Sequence, residues 1–308
     1  MKNKSLSMFV SAILIAVFHL WINVASVGSS AYEIENFIKY ICFVGVDIFF
    51  LVSAFSIAKS NTENYKEYIK KRFSKIYLKY IFFAIIASIV FGWGITRLIK
   101  VVLGIELFTK GGGSFLWFAP AILIVYLLLP LYKRMDETYP KANPIITLLL
   151  WFAIYLVLTK VDSVSQILIF YNRIPVILLG FYLGKYDVLD KIRQSKFRYI
   201  LLSISAICIG IMLVYFLGYH SSNDFFYILA IPLALGLVMI LDILPETRII
   251  DKLGKCSFEM YGLQMIFGFK IADIIYRSLG SAILSNIITI GLLIASSFLL
   301  EKAFHILK

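Results

Sequence analysis

The chain has 308 residues, of which 61% are hydrophobic and only 16% are charged. A typical soluble domain has about 25% charged residues, so this composition excludes an ordinary soluble domain and predicts an integral membrane protein. The net charge of +12 suits a nucleic-acid partner. A polytopic membrane protein, however, keeps its Lys and Arg residues mainly in cytoplasmic loops, so no nucleic-acid partner is predicted.

Ten apolar stretches are long enough, or nearly long enough, to cross a bilayer. They lie at residues 6–27, 40–58, 80–96, 115–132, 144–159, 167–184, 199–218, 225–243, 257–274 and 284–301. The first stretch follows Lys2 and Lys4 as in a signal peptide, but its length favours a retained helix. We therefore expect an all-α, polytopic transmembrane helical bundle of about ten helices, in a single domain over residues 1–308.

The distribution of basic residues predicts the topology. Most of the 30 Lys and Arg residues fall in the loops that are cytoplasmic if the N-terminus is cytoplasmic. This bias places both termini in the cytoplasm and the protein in the cell (plasma or inner) membrane. The three cysteines, Cys42, Cys208 and Cys256, are far apart and form no CxxC motif, so neither a disulfide framework nor a metal site is expected.

Two loops have amphipathic patterns. Residues 97–108 have apolar residues at helical spacing opposite Arg97 and Lys100, which predicts a helix in the outer membrane interface, followed by a turn at Gly111–Gly113. Residues 61–80 combine a run of Lys and Arg with interleaved aromatic residues. They predict a helix with a basic stripe that contacts anionic headgroups.

A few polar side chains lie within the predicted spans, where such groups are costly and usually face a cavity or a partner. His19 is either a general base or a structural histidine that bonds across helices. Asp47 is placed to orient His19 or to pair with Arg173, or it is solvated near a helix end. Glu259 is either a site residue or an interfacial one. The remaining polar candidates of this kind are Asn172 and Gln264.

Arg173 precedes Pro175 by two residues, so we expect the sixth span to kink at this point. The kink frees backbone carbonyl groups that must face protein or water. An arginine in a kinked span indicates a cavity that contacts an anion; the alternative is a purely salt-bridged or snorkelling side chain. Tyr261 is either a site residue or part of an aromatic belt.

His19 and five later blocks of sequence, in order, resemble the acyltransferase-3 family of integral membrane acyltransferases. His19 resembles the histidine that ends the first-helix motif of the family. The later blocks are Gly45–Phe55, Arg72–Ile76, Leu116–Phe118, Arg173–Pro175 with Gly180 and Gly184, and Ser257–Tyr261. The chain departs from the family pattern at Met8 in place of a basic residue, and at Ala54, Lys75, Leu78 and Gln264.

The resemblance implies transfer of an acyl group, most simply acetyl, from cytoplasmic acetyl-CoA to a hydroxyl of a cell-envelope glycan or a related acceptor. It implies that His19 is the base, with Asp47 beside it, and that Arg173 or a backbone donor near Pro175 stabilises the oxyanion. The expected donor-binding residues are Arg72, Lys75 and Lys79, which attract the CoA phosphates. The expected substrate-binding residues are Ser53, Asn172, Glu259, Tyr261 and Gln264.

Two other functions remain open from the sequence. A transporter or flippase would use Arg173 and Asp47 as binding charges and His19 as a proton relay. A catalytically impaired assembly partner in envelope biosynthesis is favoured by Met8, because the family has a basic residue there. The oligomeric state is not predicted by the sequence.

Overall fold

A computed structural model of the chain describes residues 1–161, 165–219 and 226–306, and every regular element in these ranges is a helix. The chain forms two compact units. The first contains Met1–Phe49 and Ser195–Lys308, and the second contains Phe50–Gln194. A single domain over the whole length stays a prediction.

Six helical segments in the described residues are long and apolar enough to cross a membrane. They are Ser30–Ala58, Tyr65–Val90, Phe118–Thr138, Leu168–Lys185, Lys196–Gly218 and Ala282–Ile306. Three shorter apolar helices cover Lys4–Leu20, Ala142–Leu158 and Tyr227–Leu241. The protein is thus an all-α membrane protein, as predicted, while the count of ten spans and the location of the termini stay predictions. Residue 225, where the eighth predicted span begins, lies outside the described residues.

The first unit is built around α1. Its helices are α1 (Lys4–Leu20), α2 (Ser30–Ile41), the start of α3 (Val44–Ala58), α12 (Lys196–Leu213), α13 (Phe226–Leu229), α14 (Ile231–Leu241), α15 (Arg248–Lys255), α16 (Ser257–Leu263), α17 (Phe269–Leu279) and α18 (Ala282–Ile306). π-Helical segments follow α12 at Val214–Gly218 and α16 at Gln264–Gly268. Helix α1 packs on α15 and α16, and α18 packs on α16 and α17.

Buried Asp242 anchors the N-terminal end of α1. Its carboxylate accepts hydrogen bonds from the backbone N–H groups of Lys2 and Asn3, and from the Tyr199 hydroxyl at 3.2 Å. The Asn3 side chain in turn caps α1 by accepting from the Leu6 N–H. Because this cap occupies a backbone donor that the helix leaves unpaired, the start of α1 is fixed at Lys4.

The second unit contains the remainder of α3 and eight further helices among the described residues. These are α4 (Tyr65–Val90), α5 (Ile95–Val102), α6 (Ile105–Lys110), α7 (Phe118–Thr138), α8 (Ala142–Leu158), α9 (Leu168–Tyr171), α10 (Ile174–Lys185) and α11 (Val188–Arg193). Helices α3 and α10 approach closely, because a Cβ atom on Gly180 would lie 2.3 Å from the Leu51 carbonyl oxygen. Small residues at such crossings allow close backbone packing in membrane proteins.

The basic segment 61–80 and the predicted third span form one helix. Asn64 caps α4 by accepting from the Glu67 N–H, and the helix continues without a break to Val90. The chain then turns at Gly92, which has a φ of +65°. The sequence predicted two elements here because the residue composition changes near Tyr80, but nothing in that region interrupts the backbone hydrogen bonding.

The amphipathic segment 97–108 forms two short helices rather than one. Helix α5 ends at Val102, and Gly104 separates it from α6 with a φ of +72°. Glycine adopts this left-handed conformation without the steric cost that a side chain adds. A Cβ atom at Gly104 would also lie 2.9 Å from Cβ of Pro120, so α7 reinforces the break.

Candidate functional site

His19 lies in the last turn of α1, rather than deep inside a span that was predicted to reach residue 27. The helix ends at Leu20, and the imidazole ring is half-buried with its edge against Phe18. The Nδ1 atom is buried and has no hydrogen-bond partner among the described residues. A neutral imidazole has one donor and one acceptor nitrogen, so the hydrogen-bonding capacity of Nδ1 is unused among the described residues.

Asp47 and Glu259 are both fully buried, each in the first turn of a helix. A helix N-terminus carries partial positive charge, which lowers the cost of a buried carboxylate at that position. Both carboxylates are therefore enclosed by protein rather than solvated, and the interfacial placement considered for Glu259 stays a prediction. Tyr261 is 3% exposed, so it does not belong to an aromatic belt at the membrane surface.

Gln264 begins the π-helical segment after α16 and is completely buried. Neither of its amide atoms has a hydrogen-bond partner among the described residues. Single π-helical turns in α-helices often occur at functional sites, and an unpaired buried amide is costly unless a ligand or water satisfies it.

The first unit brings the helices that carry these residues against α1. The ninth predicted span is α16, the π-helical segment and α17 in succession. Gly268 of the π-helical segment packs against Leu20, next to His19. On another side, Gly45 packs against Ser11 and Ile15, which brings the start of α3 to α1. The start of α3, α16 and the π-helical segment, which carry Asp47, Glu259 and Gln264, therefore all pack against the helix that carries His19.

Arg173 belongs to the second unit and lies at a break between two helices, as the sequence predicted. Helix α9 ends at Tyr171, and α10 begins at Ile174 with Pro175 in its first turn. Arg173 is 2% exposed; its guanidinium lies 5.1 Å from the Trp117 ring centre, and Nη1 donates to the Ile169 carbonyl. The amide atoms of neighbouring Asn172 are buried and have no partner in the described part of the chain.

The Trp117 side chain is positioned by a strained turn. Leu116, which is fully buried, has a φ of +49°. A left-handed conformation costs a residue with a side chain about 1–2 kcal/mol. Such strain persists only where the surrounding structure enforces it, and it often marks functional sites. The sequence indicated the Leu116–Phe118 block, but it gave no sign of the contact between Trp117 and Arg173.

Arg72 lies between two tyrosines of the second unit. Its guanidinium carbon is 5.5 Å from the ring centres of both Tyr68 and Tyr126. The Ser53 side chain lies beside Tyr126, so two predicted site residues, Ser53 and Arg72, flank a tyrosine that the sequence did not indicate. The orientation of Arg72 is therefore set by aromatic faces as well as by charge.

A polar pocket of about 430 Å³ opens beside Arg72. It is lined by Ser60, Asn61, Glu63, Asn64, Glu67, Tyr68, Lys71 and Arg72. The predicted Lys75 and Lys79 follow on α4, the first exposed and the second half-buried, and neither lines this pocket. Lys71, which was not among the predicted donor-binding residues, lines the pocket together with Arg72.

Basic residues of α7 hold one wall of this pocket. Lys133 donates to the carbonyls of Ala58 at 3.1 Å and Ser60 at 3.0 Å, which lie at and just beyond the end of α3. Arg134 donates to the Glu63 carbonyl at 3.0 Å. These bonds satisfy acceptors that the end of a helix leaves unpaired, so the loop between α3 and α4 has a fixed shape.

An ion pair joins the same loop region to the end of α10. Lys59 donates to the Asp187 carboxylate and lies 3.7 Å from Asp190. The hydrogen bond from Lys59 lowers the pKa of Asp187 below its ordinary value of 3.8.

Within the described residues, no group of three or more His, Cys, Asp or Glu side chains is arranged to hold a metal ion.

The chain matches the model of a known protein family. A family model described as an acyltransferase domain, of the acyltransferase-3 type, matches residues 9–302, nearly the whole chain. None of the curated proteins and none of the solved structures compared with the chain matches it. The match includes the helices that carry His19, Asp47, Arg72, Arg173 and Glu259. The chain belongs to the acyltransferase-3 family and is a membrane acyltransferase.

Proposed function

We propose that this protein transfers an acetyl group from cytoplasmic acetyl-CoA to a hydroxyl of a cell-envelope glycan. The observation that carries the proposal is His19, whose buried Nδ1 atom has no partner among the described residues of a chain that belongs to an acyltransferase family. A neutral imidazole near pH 7 is a suitable general base for a hydroxyl. The proposal places the protein in the plasma or inner membrane.

In the proposed reaction, His19 takes the proton of the acceptor hydroxyl as its oxygen attacks the thioester carbonyl. The tetrahedral intermediate then collapses, the C–S bond breaks, and the CoA thiolate leaves with the proton that His19 held. Asp47 would orient the imidazole and stabilise its charged form. Arg173, or a backbone N–H group near Pro175, would stabilise the oxyanion, which is usually the largest electrostatic contribution in acyl transfer.

The pocket beside Arg72 is the proposed entrance of the donor. Arginine forms bidentate hydrogen bonds with phosphate, and the contacts with Tyr68 and Tyr126 reduce the rotational freedom that binding would otherwise remove. Lys75 and Lys79 would add positive charge along α4 that attracts the CoA phosphates. The proposed substrate contacts are Ser53, Asn172, Glu259, Tyr261 and Gln264.

The test uses purified protein and acetyl-CoA labelled in the acetyl group. We expect His19→Ala to lower thioester turnover by a factor of about 10²–10⁴, which is the usual contribution of general acid–base catalysis. His305→Ala is the matched control, because His305 is exposed in the last turn of α18. Full turnover by a folded His19→Ala protein would contradict the proposed base.

A transporter is the second candidate, and the break at Asn172 and Arg173 favours it. Transporters often bind substrates at discontinuous helices whose backbone groups are left unpaired. Movement of a labelled envelope precursor across vesicles in the absence of acetyl-CoA would support this function. A third possibility, an impaired assembly partner, rests on Met8; it predicts no turnover by the wild-type protein and restored turnover by Met8→Arg.

A further inference from the structure

The Arg97 side chain is held in a fixed orientation on the surface of the second unit. Its guanidinium carbon lies 4.1 Å from the ring centre of Trp93, and its Nε atom donates to Oε1 of Glu106 at 3.2 Å. Helix α5, which carries Arg97, is attached to α4 by a hydrogen bond of 2.5 Å from the Tyr80 hydroxyl to the Val101 carbonyl. Arg97 is thus restrained by an aromatic face, a carboxylate and an anchored helix.

Glu106 is the buried partner of this arrangement. It is 2% exposed, and its Oε1 atom also accepts from Nζ of Lys110 at 2.6 Å. Two cations therefore share one carboxylate, which leaves a net positive charge on the group. The side chains of Arg97 and Lys110 are 41% and 45% exposed, so this excess charge lies at the surface.

The terminal nitrogens of Arg97, Nη1 and Nη2, make no hydrogen bond with the described residues, since only Nε is engaged. Arg173 and Arg134 differ, because one terminal nitrogen of each donates to a backbone carbonyl. The free edge of a guanidinium group matches two oxygens of a phosphate. Lys100, exposed and three residues further along α5, adds a second charge on the same face.

Helix α5 and the residue that caps its C-terminal end form an exposed apolar stripe. Ile95, Ile99 and Leu103 are 69%, 50% and 64% exposed at intervals of one helical turn. A helix with one apolar and one basic face lies at the level of the lipid headgroups, where phosphate groups are abundant. This surface is separate from the donor pocket, because Arg72 and Val90 are roughly 27 Å apart along α4 and α5 follows Val90.

We propose that Arg97, with Lys100 and Lys110 beside it, forms a binding site for a phosphodiester group. The ligand is the phosphate of an anionic lipid headgroup or of a soluble phosphodiester; both present the same pair of oxygens to the guanidinium edge. Glu106 and Trp93 orient the guanidinium before binding, which lowers the entropy cost. This site goes beyond the proposed function and does not depend on it.

The experiment measures phosphodiester binding without any acyl donor, so its result is independent of acyl transfer. One arm uses nanodiscs of phosphatidylcholine that contain phosphatidylglycerol, and native mass spectrometry counts the phosphatidylglycerol molecules retained. The other arm titrates detergent-solubilised protein with glycerophosphoglycerol, the deacylated headgroup. We expect Arg97→Gln to weaken binding about tenfold in at least one arm. Binding in both arms indicates a soluble phosphodiester as a sufficient ligand, and binding only in nanodiscs indicates the lipid.

Arg277→Gln is the matched control. Arg277 also donates through Nε to a carboxylate, that of Asp273 at 2.9 Å, but it is 78% exposed. Arg97→Lys tests whether the planar guanidinium is needed. We expect a smaller loss of affinity than in Arg97→Gln, because lysine keeps the positive charge but not the paired, planar N–H groups. Unchanged binding by a folded Arg97→Gln protein in both arms, or an equal loss in Arg277→Gln, would overturn the proposal. If Arg97→Gln does not fold, full affinity of Arg97→Lys would overturn it equally.

Discussion

Replacement of Gln264 by leucine separates a functional buried amide from a structural one. The amide has two N–H donors and an acceptor oxygen, and in the folded protein all of them are buried without a partner among the described residues. An unsatisfied buried polar group costs about 1–3 kcal/mol. Leucine removes that cost and has a similar volume, so Gln264→Leu should raise the free energy of unfolding by about 1–3 kcal/mol.

The same change should lower activity, because the proposed function gives Gln264 a contact with the substrate. Loss of one hydrogen bond to the substrate costs about 1–3 kcal/mol, which lowers kcat/KM by a factor of roughly 5 to 150. Stability is measured by denaturant titration in mixed micelles, and turnover with labelled acetyl-CoA. A variant that is both more stable and less active is the expected result, since functional sites often sacrifice stability.

Thr289→Val is the matched control for this experiment. Thr289 also belongs to the first unit, is 2% exposed, and has a buried hydroxyl without a partner among the described residues. We expect the valine variant to gain stability without loss of turnover. Full turnover by Gln264→Leu would refute a substrate contact, and a large loss of stability would refute the reasoning about the unsatisfied amide.

Three further predictions concern residues of the second unit. Arg72→Ala should raise the KM for acetyl-CoA more than it lowers kcat, because a phosphate contact remote from the thioester contributes nearly uniform binding. Gly180→Ala should destabilise the protein by about 1–3 kcal/mol through overpacking against α3, whereas Gly291→Ala, with nothing within 4 Å of its Cβ position, should not. Lys59 lowers the pKa of Asp187 below 3.8. The ion pair therefore contributes stability that is fully present above pH 3.8 and is lost as the pH falls through the lowered pKa. Asp187→Asn should therefore lower the melting temperature at pH 7 but not well below pH 3.8.

The sequence determined the class of the protein, because hydrophobicity over about 20 residues is a local property that is set by the bilayer thickness. The family of the protein and the helix break before Pro175 could also be predicted from the sequence. A proline restricts its own backbone and that of the preceding residue wherever it occurs. The helical nature of the basic segment 61–80 was predicted for the same reason, since its periodicity is contained in the segment itself.

The tertiary structure decided which polar side chains are buried and which partners they contact. The burial of Glu259 and Asp47, the unpaired amide of Gln264 and the Tyr126 face against Arg72 depend on residues that are distant in sequence. The pairing of Arg97 with Glu106 is local, but the burial of that carboxylate depends on packing in three dimensions. A one-dimensional pattern gives the polarity of a residue and the periodicity of its segment, whereas the energy of a polar group in a membrane protein depends on the partners that the fold brings to it.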